Sequence, residues 1–269
     1  MKKSKKKEKV IIDEVELKKK LDLLYRKFSL SDKYFDPIIF PKRFKNPLDI
    51  EAAAFISSCF AYGSVSQIIG SLENIFNIIG ESPYDFCLNY SLNSKLFSTL
   101  KHRFFNDDDI DLLFRALKKI YSEYGSLERL FLLYYFEDDK NLKNSISFFS
   151  RNLINLTGKN RRSLTFMFPD PLKGSACKRM NLFLRWMIRK DKIDFGIWTS
   201  VDKSKLVFPV DVHIENFAKK QKITFRKNGD WKMAEEITDF FKRLDPFDPV
   251  KYDFAIFQTS IHNKKEYNL

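Results

Sequence analysis

The chain has 269 residues, 44% hydrophobic and 16% aromatic, with a formal net charge of +13 at pH 7. That is enough apolar material for a sizeable core and excludes a chain disordered throughout. Three scattered cysteines (Cys59, Cys87, Cys177) with no C-x-x-C pair exclude a zinc finger or four-cysteine iron–sulfur cluster within this chain. They also argue against a disulfide framework and agree with a reducing cytoplasm.

The Lys-rich start, residues 1–9, has six Lys and one Glu and reads as a basic disordered tail. It lacks the apolar stretch of a secretory signal, and no long uncharged apolar run follows, so no membrane partner is expected. From residue 10 to 269 the pattern is that of one helical domain. Ile11, Val15, Leu21, Leu24, Tyr25 and Phe28 fall at helical spacing. Pro37 and Pro41 mark a loop. Pro47 and Asp49 open a helix through Tyr62, Gly63 breaks it, and a second runs to Gly80. Shorter helices are expected over 82–105. Three acids, Asp107 to Asp109, suit the first turn of a helix through Tyr124. Further helices fit 126–137 and 141–156.

Residues 157–173 are loop-like, and a helix is expected from about Ser175 to Lys190. The next begins at Asp211 and runs to 222, and a final pair covers about 231–244 and 249–262. LTFMF and KLVFPV are the strand candidates, short and isolated. The expected architecture is all-α with short connections.

The positive charge is focused. Residues 151–227 hold eighteen Lys/Arg against six Asp/Glu, a net +12. Such a segment suits a polyanion, most simply nucleic acid. Within it lies KGSACKRMNLFLRWMIR, residues 173–189. Gly174 permits a tight turn, and the helix behind it offers unpaired N–H groups and a positive dipole end to a phosphate. Lys173, Ser175, Lys178, Arg179 and, upstream, Arg162 cluster around that end. Downstream, PVDVH places Asp211 as an N-cap and His213 just inside the helix.

Together these segments resemble the helix-hairpin-helix DNA glycosylase superfamily, the 8-oxoguanine glycosylase branch in particular, and a bacterial family of unassigned function related to it. The hairpin segment spans about 160–222. Gly174-Ser-Ala-Cys-Lys178 matches the family's turn and nucleophilic lysine, and Pro209-Val-Asp211-Val-His213 matches its acid segment. EAAAFISSCFAYGSVSQIIGSLENIF looks like the family's first core helix pair. The resemblance implies a two-lobed all-α fold with a cleft between this pair and the hairpin segment.

It also implies base excision on duplex DNA with a damaged base. Lys178 would attack C1′ of an extruded nucleotide, with AP-lyase activity, and Asp211 would stabilise the sugar cation. Burial and the cations Arg179 and Arg185 would favour the neutral amine. Gly174, Ser175, Lys173, Arg162, Arg179 and His213 become DNA contacts. Tyr62 becomes a candidate for the gap left by the base, and Phe254, Phe257 and Gln258 for its pocket. No metal or other cofactor is expected, and the protein is expected to act as a monomer. The segment KDKIDFGIWTSVDKSKL, 190–206, either lines the pocket or moves Asp211 away from Lys178. The alternative is a noncatalytic DNA- or RNA-binding protein that keeps the scaffold.

Overall fold

The computed structural model describes residues 13–30, 36–91, 96–98 and 100–261. The tail at 1–9 and Ile11 lie outside these residues. Among the described residues the regular structure is helical, and the only β pairings are three isolated bridges. LTFMF lies mostly within a helix, Arg162–Met167, and residues 206–210 carry no ladder. That second stretch read as a strand because Leu206, Val207, Phe208 and Val210 are all buried. It is instead a single extended segment enclosed by helices, and Phe208 N–H donates to Thr238 Oγ1 at 3.0 Å rather than to a neighbouring strand.

The α-helices in chain order are α1 (Glu14–Ser29), α2 (Pro47–Cys59), α3 (Val65–Ile79), α4 (Pro83–Leu88), α5 (Asp107–Glu123), α6 (Leu127–Leu132), α7 (Lys143–Thr157), α8 (Arg162–Met167), α9 (Lys178–Ile188), α10 (Val212–Lys220), α11 (Trp231–Leu244) and α12 (Asp253–Ile261). Their starts are set by local chemistry. Asn46 caps α2 with Pro47 at its first position, Ser64 caps α3, and Asn106 forms a reciprocal capping box with Asp109 on α5. The helix expected from Ser175 begins three residues later, because Cys177 adopts a left-handed backbone (φ 50°) that no helical residue can. Among the described residues of 82–105 only α4 is an α-helix, and the helix expected over 126–137 stops at Leu132.

Every residue of α2 from Asp49 to Cys59 is buried, so this helix is apolar enough all round to run through the core. It packs on α4 and α9. Phe55 at its centre meets Phe149, Phe168 and Phe183. Its Glu51 carboxylate, 2% exposed, accepts from Leu127 N (2.9 Å), Glu128 N (3.1 Å) and Trp198 Nε1 (2.9 Å), which ties two distant segments to the helix. Helix α1 lies against α12. Its Leu17, Leu21, Leu24 and Phe28 are buried, whereas Val15 faces solvent.

Segment 190–206 folds under α9 instead of into a cleft. Ile193, Trp198, Val201 and Leu206 are buried, and Trp198 N–H donates to Met187 O at 2.8 Å. Asp194 ion-pairs with Arg185 (3.2 Å) and also with Arg189. Arg189 in turn holds Asp248 at 2.8 Å. These carboxylates offset the cost of burying the two guanidinium groups and pin the segment in place.

Candidate active site

Lys178 is the first residue of α9. The turn before it is fixed by polar contacts: Ser175 Oγ accepts from Cys177 N (3.2 Å), and buried Asn181 Nδ2 donates to Ala176 O (3.0 Å). From that position the side chain reaches the chain leaving α2, where Nζ donates to Ala61 O at 3.3 Å. The same Nζ is 3.4 Å from Asp211 Oδ2.

Asp211 precedes α10 in an extended conformation. Its Oδ1 accepts from His213 N (2.9 Å) and Ile214 N (3.0 Å), two of the donors a helix start leaves unpaired. The carboxylate therefore divides its work, one oxygen capping the helix and the other facing the lysine. His213 Nδ1 is 2.6 Å from Ser260 Oγ, and its ring stands edge-on to Phe257, centroids 5.4 Å apart.

Lys178, Asp211, His213, Tyr62 and Phe257 line one cavity of about 260 Å³. It lies between the α2–α3 connection, α9, the start of α10 and α12. Asp36, Arg185 and Asp253 also line it. Arg185 pairs through Nη1 with Asp253 and through Nε with Asp194. Burial pushes the Asp253 carboxyl up to about 7, the attraction of Arg185 opposing and the Asp211 charge assisting. Burial likewise raises Asp36, whose Oδ1 accepts from Ile38 N at 2.9 Å. The cavity thus holds an amine, the carboxylate facing it and two deeper carboxyls, Asp36 and Asp253, whose proton affinity burial raises. Among the described residues no His, Cys, Asp and Glu side chains group in a way that could hold a metal ion.

The charges around the amine differ from the sequence expectation. Arg179 is turned inward, 6% exposed, and donates to Cys59 O (3.2 Å) and to Phe166 O. Its guanidinium covers the rings of Phe166 (4.3 Å) and Tyr62 (5.1 Å). Burial pulls its pKa down to about 10. Arg179 is thus buried rather than presented to a phosphate. Arg185 is committed to its own carboxylates. The charge drawn up to the Lys178 amine is Asp211, an acid rather than a cation.

A second cavity of about 410 Å³ lies on the other side of Lys178, and Lys173, Ser175, Arg179 and Tyr62 also line it. Tyr62 belongs to both walls. Its hydroxyl donates to His102 O at 2.6 Å, and its ring lies parallel to Phe104, 2° apart with centroids at 6.4 Å. Phe104 is 65% exposed. It sits at the tip of a tight turn closed by His102 N–Phe105 O (3.0 Å) and Phe105 N–His102 O (2.9 Å), with Arg103 in the left-handed region (φ 54°).

The fold therefore brings Lys178, Asp211, His213, Tyr62 and Phe257 into one cavity, and Lys173, Ser175 and Arg179 into its neighbour. Gly174 (φ 89°) makes the turn itself, its carbonyl accepting from Trp231 N at 3.1 Å. Arg162 is exposed at the start of α8 and lines neither cavity. Phe254 and Gln258 are buried away from both, Phe254 near Arg185. Sequence reading missed Asp36, Asp253 and Phe104. One signal for Asp253 was present: it lies four residues before Phe257, on the same helix face.

The chain belongs to the family described as protein of unknown function (DUF2400), whose model it matches over residues 36–262. No curated protein matches it, and no solved structure does.

Proposed function

We propose that this protein is a base-excision DNA glycosylase with AP-lyase activity, of the two-lobed helix-hairpin-helix type. The observation that carries the reading is the approach of Lys178 Nζ to Asp211 Oδ2, 3.4 Å apart on the wall of a shared cavity. Two segments that resemble a nucleophile turn and an acid segment meet there with their polar ends together. A cavity of about 260 Å³ lies just below the roughly 300–1,000 Å³ of drug-sized sites and suits a single heterocycle.

In this reading the damaged nucleotide is extruded into the cavity, at a cost of a few kcal/mol that a damaged pair lowers. Lys178 enters as the ammonium of its ion pair. It gives one proton to the departing base, whose bond to C1′ breaks with the electron pair remaining on the base. The freed amine then bonds to C1′, and the Asp211 carboxylate stabilises the positive sugar on the way. The C1′–O4′ bond then breaks with its electron pair on O4′, which takes a proton from the substituted nitrogen and leaves a protonated Schiff base. The C2′ proton passes to the Asp211 carboxylate, and the electrons it leaves expel the 3′ phosphate with the pair of its C3′–O bond. Exposed Phe104, braced by Tyr62, takes the gap in the duplex, because the Tyr62 hydroxyl is already engaged by His102.

The test is incubation with duplexes carrying a panel of lesions, with borohydride present to trap the Schiff base. A covalent adduct that disappears in Lys178→Gln is the expected result. Absence of an adduct with every lesion, alongside retained DNA binding, would transfer the protein to a second reading, a noncatalytic nucleic-acid-binding protein. The observation favouring that reading is the bond from the Lys178 amine to Ala61 O, which commits one of its donors to main chain.

A further inference from the structure

The loop between α10 and α11 carries features that neither cavity uses. Residues 219–229, KKQKITFRKNG, contain five cations and no acid. At the tip stands Phe225, 81% exposed, more than any other large hydrophobic side chain among the described residues. The loop is held firmly. Thr224 is buried and donates to Glu236 at 2.6 Å, Arg226 N donates back to Thr224 Oγ1 at 3.2 Å, and Arg226 ion-pairs with Asp230 at 2.8 Å. An aromatic ring on so braced a loop stays in water without collapsing onto the core.

Four of the five cations sort into two groups. Lys219 is held by Glu215, and Arg226 by Asp230 and Glu236. Lys222 and Lys227 are exposed, and no ion pair among the described residues engages them. Lys222 also occupies a position where glycine is favoured. It ends α10 in a left-handed conformation (φ 56°), with Ile223 N bonding back to Ala218 O at 2.8 Å. A lysine there is strained, and its ammonium is the charged group it presents to solvent where glycine would present none. The loop is also continuous with the candidate site. Gly229 lines the outer cavity beside Lys173 and Ser175, Trp231 N donates to Gly174 O at 3.1 Å, and Ser175 bridges to Asp230.

We propose that this loop is a second nucleic-acid contact, on which an unpaired base stacks against Phe225 while the flanking phosphates meet Lys222 and Lys227. A ring face with adjacent cations is the arrangement that takes single strands irrespective of sequence, whereas a paired base offers its face only at a duplex end. The proposal extends the nucleic-acid reading of the chain but not its base-removal chemistry.

Fluorescence anisotropy on the full chain, with a labelled oligodeoxythymidylate and a labelled covalently closed circular duplex that has no ends, tests it. Phe225→Ala should weaken the single-strand complex about 5- to 100-fold and change the closed-duplex complex less than about twofold. Lys222→Gly should have effects of opposite sign. The melting temperature should rise by roughly 2–4 °C as the strain is relieved. Single-strand affinity should fall, with the salt slope reduced by about 0.7. Unchanged single-strand affinity in Phe225→Ala, or a stabilised Lys222→Gly that binds as the parent does, overturns the proposal and leaves the loop a connector. The Lys178 adduct is read separately. A parent that forms no adduct, yet loses single-strand affinity with Phe225→Ala, supports this contact and removes the glycosylase reading. A parent that traps normally, with Phe225→Ala indistinguishable from it, does the reverse.

Discussion

Lys178 Nζ stands 3.4 Å from Asp211 Oδ2, although all of 179–210 intervenes in the chain. The same carboxylate caps α10 through its other oxygen. Capping and chemistry can therefore be separated by substitution. Asp211→Asn retains an acceptor for the two N–H groups, and Asn caps about as well as Asp, so unfolding should shift by no more than about 0.5 kcal/mol. Base release should fall by roughly 10²–10³, the usual loss when a stabiliser of developing charge is removed. Single-turnover assays on a trapped lesion check this; an Asn variant as fast as the parent makes Asp211 a cap and nothing more.

Phe104 and Tyr62 lie in parallel, with only Phe104 largely in solvent. Phe104→Ala should leave stability within about 0.5 kcal/mol and weaken binding to a duplex containing an abasic site about tenfold, one base's worth of stacking. Tyr62→Phe should behave in the opposite way, losing about 1 kcal/mol of stability with its bond to His102 O and little affinity. Denaturant midpoints and anisotropy titrations on both variants check this, and unchanged affinity in Phe104→Ala would take that ring off the DNA.

Asp253 gives a pH signature. In the unfolded chain it ionises near pH 4, but in the folded protein it keeps its proton to about pH 7. Its contribution to stability is present at low pH and is lost as pH rises between those values. Asp253→Asn has no such loss. The melting temperature of the variant, taken relative to the parent, should therefore climb from pH 4 to pH 7 and then level off. A difference constant across that range would mean that Asp253 titrates normally.

Glu51 accepts three buried hydrogen bonds, from Leu127, Glu128 and Trp198. Glu51→Leu leaves those donors unpaired at about 1–3 kcal/mol each, so a loss of at least about 3 kcal/mol is expected in urea unfolding. A smaller loss would show that the donors find other partners.

The basic segment 151–227 predicts duplex affinity that falls linearly with salt on logarithmic axes, by about 0.9 per phosphate engaged. Lys173→Ala should lower that slope by about 0.9, since Lys173 is exposed at the outer cavity. A slope unaffected by the substitution would place the contact elsewhere, and affinity insensitive to salt would remove the polyanion reading of this segment.

Local chemistry made much of this protein legible in its sequence. Helix periodicity, the start at Pro47 and Asp49, the acids Asp107 to Asp109, the Asp211 cap and the glycine stop at Gly80 act over one or two turns, so the all-α architecture and most helix positions could be read directly. The two segments bearing Lys178 and Asp211 were legible for the same reason, each being a short turn with a following helix. What the sequence left open was every relation that depends on distant partners. Segment 190–206 was free to line a pocket or displace the acid; tertiary packing put Trp198 against Glu51 and Asp194 against two arginines, and so folded it under α9. Arg179, adjacent to Lys178 in the chain, read as a phosphate contact; the carbonyls and ring faces that bury it come from α2 and α8. Asp36 and Asp253 are ordinary acids in the sequence. Only the assembled cavity wall, where both lie near Arg185, strips them of water and raises their proton affinity, because desolvation is a property of the assembled surroundings and not of the residue.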